Sequence, residues 1–141
     1  MATAPRGIRN NNPGNIRKSH EPWRGLLPAD EQTDSAFFRF SAPEWGIRAL
    51  AVILRTYQAK HGLKTVRAMI QRWAPPTEND TDAYVAAVAK AVGVAPDEPI
   101  DLRDAATTRG MVLAIIRHEN GQQPYDMAVI NRGLALAGIT V

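Results

Sequence analysis

From Ser41 onward the apolar positions of the chain recur at helical spacing; before Ser41 they do not. Ile47, Leu50, Ala51, Leu54 and Tyr57 fall on one face of a helix that Ser41 can cap, Pro43 opens and Gly62 stops. A shorter helix follows, with Thr65 as cap and Val66, Met69 and Ile70 inward, ended by Trp73-Ala-Pro-Pro76. Asn79-Asp80-Thr81 begins a third, striped by Tyr84, Val85, Val88 and Val92 and closed by Gly93. Asp101 or Asp104 starts a fourth that runs to Asn120, with Gly121 just past its end. The fifth has Pro124 in its first turn, Met127, Ile130, Leu134 and Ala137 on its inner face, and Gly138 behind it.

Residues 1–41 are rich in turn formers instead, notably Asn10-Asn-Asn-Pro-Gly-Asn15, Glu21-Pro22 and Leu27-Pro28. Two stretches, 15–17 and 36–40, suit short paired strands, the second with Phe38 and Phe40 on one face. The pattern predicts a mainly α fold, or α+β: about five helices and a small irregular hairpin lobe at the N-terminus. A single domain is expected over 1–141, with the lobe at 1–41 and the helices at 42–141.

Composition narrows the chemistry. With 141 residues, 45% hydrophobic and 22% charged, the chain has the balance of an ordinary globular domain. It has no cysteine, which excludes disulfides, thiolate metal sites and a cysteine nucleophile. The three histidines, His20, His61 and His118, lack the H-x-x-x-H spacing of a zinc hydrolase. No apolar run reaches the length of a membrane helix, and the first residues carry no apolar signal segment. Synthesis in the cytoplasm is therefore expected, with any action on the cell wall following release, virion delivery or dedicated secretion. The net charge of +3 suits a polyanionic partner of any kind, and the basic residues are dispersed.

The segment Arg109-Gly-Met-Val-Leu-Ala-Ile-Ile-Arg-His-Glu-Asn-Gly121 is the most informative. Val112, Ile115 and Ile116 share a helical face with Glu119, so this carboxylate closes an apolar stripe at the last helical turn. A helix C-terminus repels negative charge and burial disfavours it, which favours the proton-bearing form a general acid requires. The same pattern also suits a glutamate that simply hydrogen-bonds a neighbouring loop. Glu44 and Glu78 are rival acids, but each lies at or near a helix N-terminus, where the dipole alone explains a carboxylate. Asp34, in a polar loop, is either a second carboxylate facing a cleft or a turn former. The Asn-rich run offers amides for sugar recognition or for a hairpin corner, and Trp23, Trp45 and Trp73 suit either ring stacking or packing.

Trp73-Ala-Pro-Pro-Thr-Glu-Asn-Asp-Thr-Asp-Ala-Tyr-Val85 resembles the late part of lysozyme-like lytic transglycosylases, where a tyrosine on such a helix faces the substrate groove. Phe37-Phe-Arg-Phe-Ser-Ala-Pro-Glu-Trp-Gly-Ile-Arg48 resembles a segment of flagellar-type glucosaminidases, whose catalytic glutamate lies upstream, before an Asn-containing hairpin. Here Asn12-Pro-Gly-Asn-Ile16 matches the hairpin, with only eleven residues before it and so no room for a catalytic helix. Leu113-Ala-Ile-Ile-Arg-His-Glu-Asn-Gly121 is similar to that missing helix, which implies a circularly permuted lysozyme-like domain. The same Asn-Pro-Gly-Asn and Trp-Ala-Pro motifs resemble small phage-encoded virion or lysis proteins.

The resemblance implies cleavage of peptidoglycan between N-acetylmuramic acid and N-acetylglucosamine, by a muramidase or lytic transglycosylase with Glu119 as acid/base. Asp34 and Glu78 are candidates for a second carboxylate. Asn12, Asn15, Tyr84, Trp73 and His118 are candidates for binding the sugar. The expected partner is the glycan strand, engaged by a monomer without cofactor, metal or membrane insertion. Two alternatives stay open: a non-catalytic phage structural or wall-binding module, and a nucleic-acid binder, for which Arg48 and Arg55 offer the best basic face.

Overall fold

The computed structural model describes residues 4–77 and 79–141. Its elements are a short helix α1 (Arg6–Arg9), a 3-10 turn (Ala29–Glu31), and five longer helices among the described residues. These are α2 (Pro43–His61), α3 (Val66–Trp73), α4 (Thr81–Val92), α5 (Ala105–Asn120) and α6 (Met127–Leu136). The fold is mainly α. Pairing in the N-terminal segment is reduced to two isolated antiparallel bridges among the described residues, Arg17 with Phe37 and Leu26 with Phe40.

Local chemistry sets most helix ends. Thr65, Asp80 and Asp104 accept from the N–H groups of Ala68, Ala83 and Thr107, capping α3, α4 and α5. Two starts differ from expectation. Ala42, not Ser41, precedes α2, because Ser41 is drawn into the lobe by donating its N–H to the Gly25 carbonyl at 2.8 Å. Pro124 lies outside α6, in a loop where the Gln123 side chain accepts from the Tyr125 N–H at 2.7 Å and so competes with the helix. Met127, expected inward, is 43% exposed, and Ile130 and Leu134 carry the contact instead.

Helix α5 is central: Met111, Val112, Ile115 and Ile116 are fully enclosed, and it packs on α4, α2 and α1. Burying each such side chain is worth about 1.5–3 kcal/mol, whereas a carboxylate at a helix C-terminus costs about 0.3–1 kcal/mol. The packing therefore fixes the helix firmly enough to hold Glu119 in its last turn. Along α6, Gly133 admits Ile47 of α2 so closely that a Cβ there would lie 2.6 Å from Ile47. A second cluster, Ile16, Phe38, Phe40 and Ala49, stands under the N-terminal lobe, and Trp73 packs against both clusters.

Asp34 ties the lobe together. Both its oxygens accept from the Arg6 guanidinium at 2.6 Å, and it also accepts from the N–H groups of Ala36 and Phe37 and from Asn10. The Arg6 hydrogen bonds, chiefly, hold its carboxyl far below the ordinary carboxylate range. A depressed folded-state value means that this stabilisation is complete above about pH 4 and is lost as acid protonates the group. Thermal melts from pH 6 down to pH 2 should therefore fall more steeply for the wild type than for Asp34→Asn, which lacks the titrating group. Parallel melts would refute this role.

Candidate active site

The Asn-rich corner is a set of tie points. The Asn10 amide reaches Asp34, the Asn11 amide reaches the Phe40 carbonyl, and the Asn12 amide donates to the carbonyls of Ile16 and Phe38. Asn12 also accepts from the Ile16 N–H and is fully buried, so it has no group left for a sugar; its expected substrate contact is corrected to a structural one. Asn11 and Asn15 adopt left-handed backbone with φ of 52°, which Asn tolerates better than most residues. That turn points the Asn15 amide back toward the end of α5.

There, two consecutive residues clamp the corner. Asn15 donates to Glu119 Oε1 at 2.9 Å, and the Asn120 amide donates to the Pro13 carbonyl at 2.8 Å. The other carboxylate oxygen, Oε2, accepts from the Tyr84 hydroxyl at 2.7 Å. That hydroxyl in turn accepts from Trp73 Nε1 at 3.1 Å. An indole N–H can only donate, so the direction of the relay is fixed: Trp73 to Tyr84 to Glu119. Burial first, then the charge and hydrogen bond of Glu119, push the Tyr84 phenol well above its usual range, so it stays protonated and a permanent donor. Each carboxylate oxygen has a second lone pair beyond the one its donor uses.

Glu119 lines a cleft of about 330 Å³ with Asn15, Arg17, Phe37, Trp73 and Asn79 among its walls. Glu119 is the one carboxylate among its described lining residues. The Arg6 and Arg17 guanidiniums lie over the Phe37 ring, 4.6 and 5.2 Å from its centroid. The site thus combines a half-buried carboxylate held by two neutral donors, aromatic edges, and a flanking cation. Such a group can transfer a proton to and from a bound oxygen.

The remaining candidates fall elsewhere. Tyr84 is only 1% exposed, so it cannot meet a sugar; it orients Glu119 instead. His118 stacks on Tyr84 with ring centroids 3.8 Å apart, and opens onto a separate groove beside Lys90 and Arg117 rather than onto the cleft. Asp34 is consumed by Arg6 and does not line the cleft. Glu78 lies outside the described residues. Glu44 accepts from Arg132 at 2.8 Å. Arg48 donates to the Leu136 carbonyl at 3.2 Å, and Arg55 is half-buried with an enclosed Nε, so the two do not form an exposed basic face. Sequence reasoning missed Gly7, whose contact with the two clamp amides has no local signature, and Phe37 as a cleft wall, although its place beside Phe38 on the opposite strand face was legible.

Tyr84→Phe removes the hydroxyl between Trp73 and Glu119. The half-buried indole N–H then loses its partner at a cost of about 1–2 kcal/mol. Any activity that depends on Glu119 should fall about 10- to 100-fold, with substrate affinity nearly unchanged because the phenol is buried. A change confined to affinity would contradict the positioning role.

No helix of the described residues is long and apolar enough to cross a membrane. No group of three or more His, Asp or Glu among those residues is placed to hold a metal ion. No protein-family model matches the chain. It is 40% identical over 133 residues to Protein P5 of Pseudoalteromonas phage PM2, a match covering 92% of this chain and 80% of the relative.

Proposed function

The chain belongs to the family of Protein P5 of Pseudoalteromonas phage PM2, and from that premise and the surroundings of Glu119 we propose that it cuts the glycan strands of bacterial peptidoglycan. The observation that carries the proposal is the convergence, on one carboxylate lining a cleft, of donors from the Asn-Pro-Gly-Asn corner and the Trp73–Tyr84 pair. These are the motifs that resemble lysozyme-like glycan-cleaving enzymes, read in permuted order. A phage setting fits an activity that opens a bacterial wall.

In this reading the glycan lies along the cleft, with Trp73 and Phe37 as apolar walls and Asn79 available for polar contact. Glu119, bearing a proton on a second lone pair, gives it to the bridging oxygen as an oxocarbenium-like centre develops on the muramic acid ring. Asn15 and Tyr84 then stabilise the carboxylate that remains, with no rearrangement at the moment of bond cleavage. The carboxylate next takes a proton from the attacking hydroxyl. The attacking hydroxyl is the sugar's own in a lytic transglycosylase, which leaves an anhydro ring, and that of a water in a muramidase.

Purified sacculi, incubated with the protein and examined by mass spectrometry, test this directly. Release of soluble muropeptides is expected; ends one water lighter identify the transglycosylase chemistry and intact reducing ends the hydrolytic one. Sacculus binding with no soluble fragments would instead support a non-catalytic wall-binding module. Tight duplex binding that weakens steeply with salt, without wall cleavage, would support nucleic-acid recognition.

A further inference from the structure

Beyond the cleft that holds Glu119, a second cavity of about 380 Å³ opens along α2. Tyr57 lines both, so the two cavities share one aromatic wall. The second is bounded by Trp23 on the lobe side and by Val52, Ile53 and Thr56 on the helix side. Tyr57 is held in place: the Arg72 guanidinium lies 5.5 Å from its ring centroid and His61 meets it edge-on at 6.5 Å. Trp23 is half-buried and packs against the second core cluster, which fixes its ring as a platform. Each cavity therefore has its own tryptophan, Trp73 in the first and Trp23 in the second, with Tyr57 between them.

We infer that the Trp23–Tyr57 cavity is a second sugar-binding subsite, which holds a ring of the glycan strand remote from the bond being cut. The inference rests on the proposed glycan-cleaving function. Its chemistry is that of a neutral acetamido sugar. Flat aromatic faces suit the C–H face of a pyranose, and Thr56 and Lys60 sit near enough to meet hydroxyl and acetamido groups. The rim carries one carboxylate, Glu21, and one ammonium, Lys60, so it shows no net preference for an anion such as a nucleic-acid phosphate. Two cavities meeting at one wall suit a repeating polymer, whose successive rings occupy successive sites. Binding energy from the remote ring then helps to place the scissile bond beside Glu119.

Intrinsic tryptophan fluorescence tests the inference, because the two cavities carry separate reporters. The titrants are peptide-free oligomers of alternating N-acetylglucosamine and N-acetylmuramic acid, with two, four and six rings. They are added to the full chain carrying Glu119→Gln, so that binding is read without cleavage. The shortest oligomer should perturb only the Trp73 signal. Longer ones should add a second component and bind about 10-fold more tightly. Trp23→Phe should abolish both the second component and the gain with length, while leaving the shortest oligomer's affinity unchanged. Val52→Phe, which fills the cavity from the helix side without touching Trp23, should also remove the length dependence. Length dependence that survives both substitutions overturns the subsite alone. If oligomers of every length fail to bind, the glycan-cleaving reading falls and the subsite falls with it.

Discussion

Glu119→Gln is expected to lower the release of soluble fragments from sacculi at least about 1,000-fold, within the span attributed to a general acid–base group, while the protein folds and melts almost as before. The substitution is nearly isosteric and removes only the ability to give and take a proton. The surrounding network can absorb it. The carboxamide that replaces the carboxylate can still accept from Tyr84 through its carbonyl oxygen. Its amide nitrogen then faces Asn15, whose Oδ1 is enclosed and has no hydrogen-bond partner. A half-turn of the Asn15 amide presents that oxygen to the new donor. The melting temperature should consequently stay within about 4 °C of the wild type, the shift that corresponds to about 1 kcal/mol in a domain of this size. Substrate binding should persist, since the cleft walls are intact. Retained lysis by Glu119→Gln would end the assignment of this residue, whatever the behaviour of other variants.

Gly7→Ala is expected to damage both stability and activity, although Gly7 does not line the cleft. It is a buried residue of α1, and a Cβ on it would stand 2.6 Å from Asn120 Oδ1, 2.8 Å from Asn15 Oδ1 and 2.9 Å from the Asn12 carbonyl oxygen. Two of these atoms belong to the amides that clamp α5 to the corner, and the third is backbone. Relief requires both amides and the Asn12 backbone to shift relative to α1. Overpacking of this kind costs about 1–3 kcal/mol. Displacement of Asn15 also frees one oxygen of Glu119, and a misplacement of about 1 Å at a reacting group can cost 100-fold in rate. The double variant Gly7→Ala with Asn15→Gly separates the two effects. Asn15→Gly keeps the left-handed backbone and deletes the amide, so the pair should be more stable than the sum of the single effects, with activity unrecovered. A Gly7→Ala protein with wild-type melting and rate would show that α1 does not press on the clamp.

The helices were legible because their signals are local. Apolar spacing and caps such as Thr65, Asp80 and Asp104 act within one or two turns, so α3, α4 and α5 start where the chain predicts. The place of Glu119 beside a cleft was legible for a related reason: an acid ending the stripe of Val112, Ile115 and Ile116 conflicts with its neighbours, and such conflicts single out candidate sites. The asparagines were not separable in the same way. Asn10, Asn11, Asn12 and Asn15 have one chemistry, and each role is set by a partner 24, 29, 26 and 104 residues away respectively. Tyr84 was ambiguous by position, since one stripe serves core packing and groove lining alike. Its hydroxyl faces Glu119 because Trp73, from the preceding helix, supplies the donor that orients it. The strand expectation weakened because side-chain amides, rather than a backbone ladder, satisfy much of the lobe.

The clamp between the corner and α5 has a consequence for timing. Asn15 and Glu119 are separated by 104 positions, and Pro13 and Asn120 by 107. A ribosome releases the corner more than a hundred residues before the carboxylate, so a growing chain carries an incomplete centre over that interval. Contacts of such long range also form slowly in refolding. Under the proposed function, wall-degrading capacity thus arises only after Glu119 has emerged, and a fragment ending before residue 119 lacks both the carboxylate and the α6 helix that packs on α2.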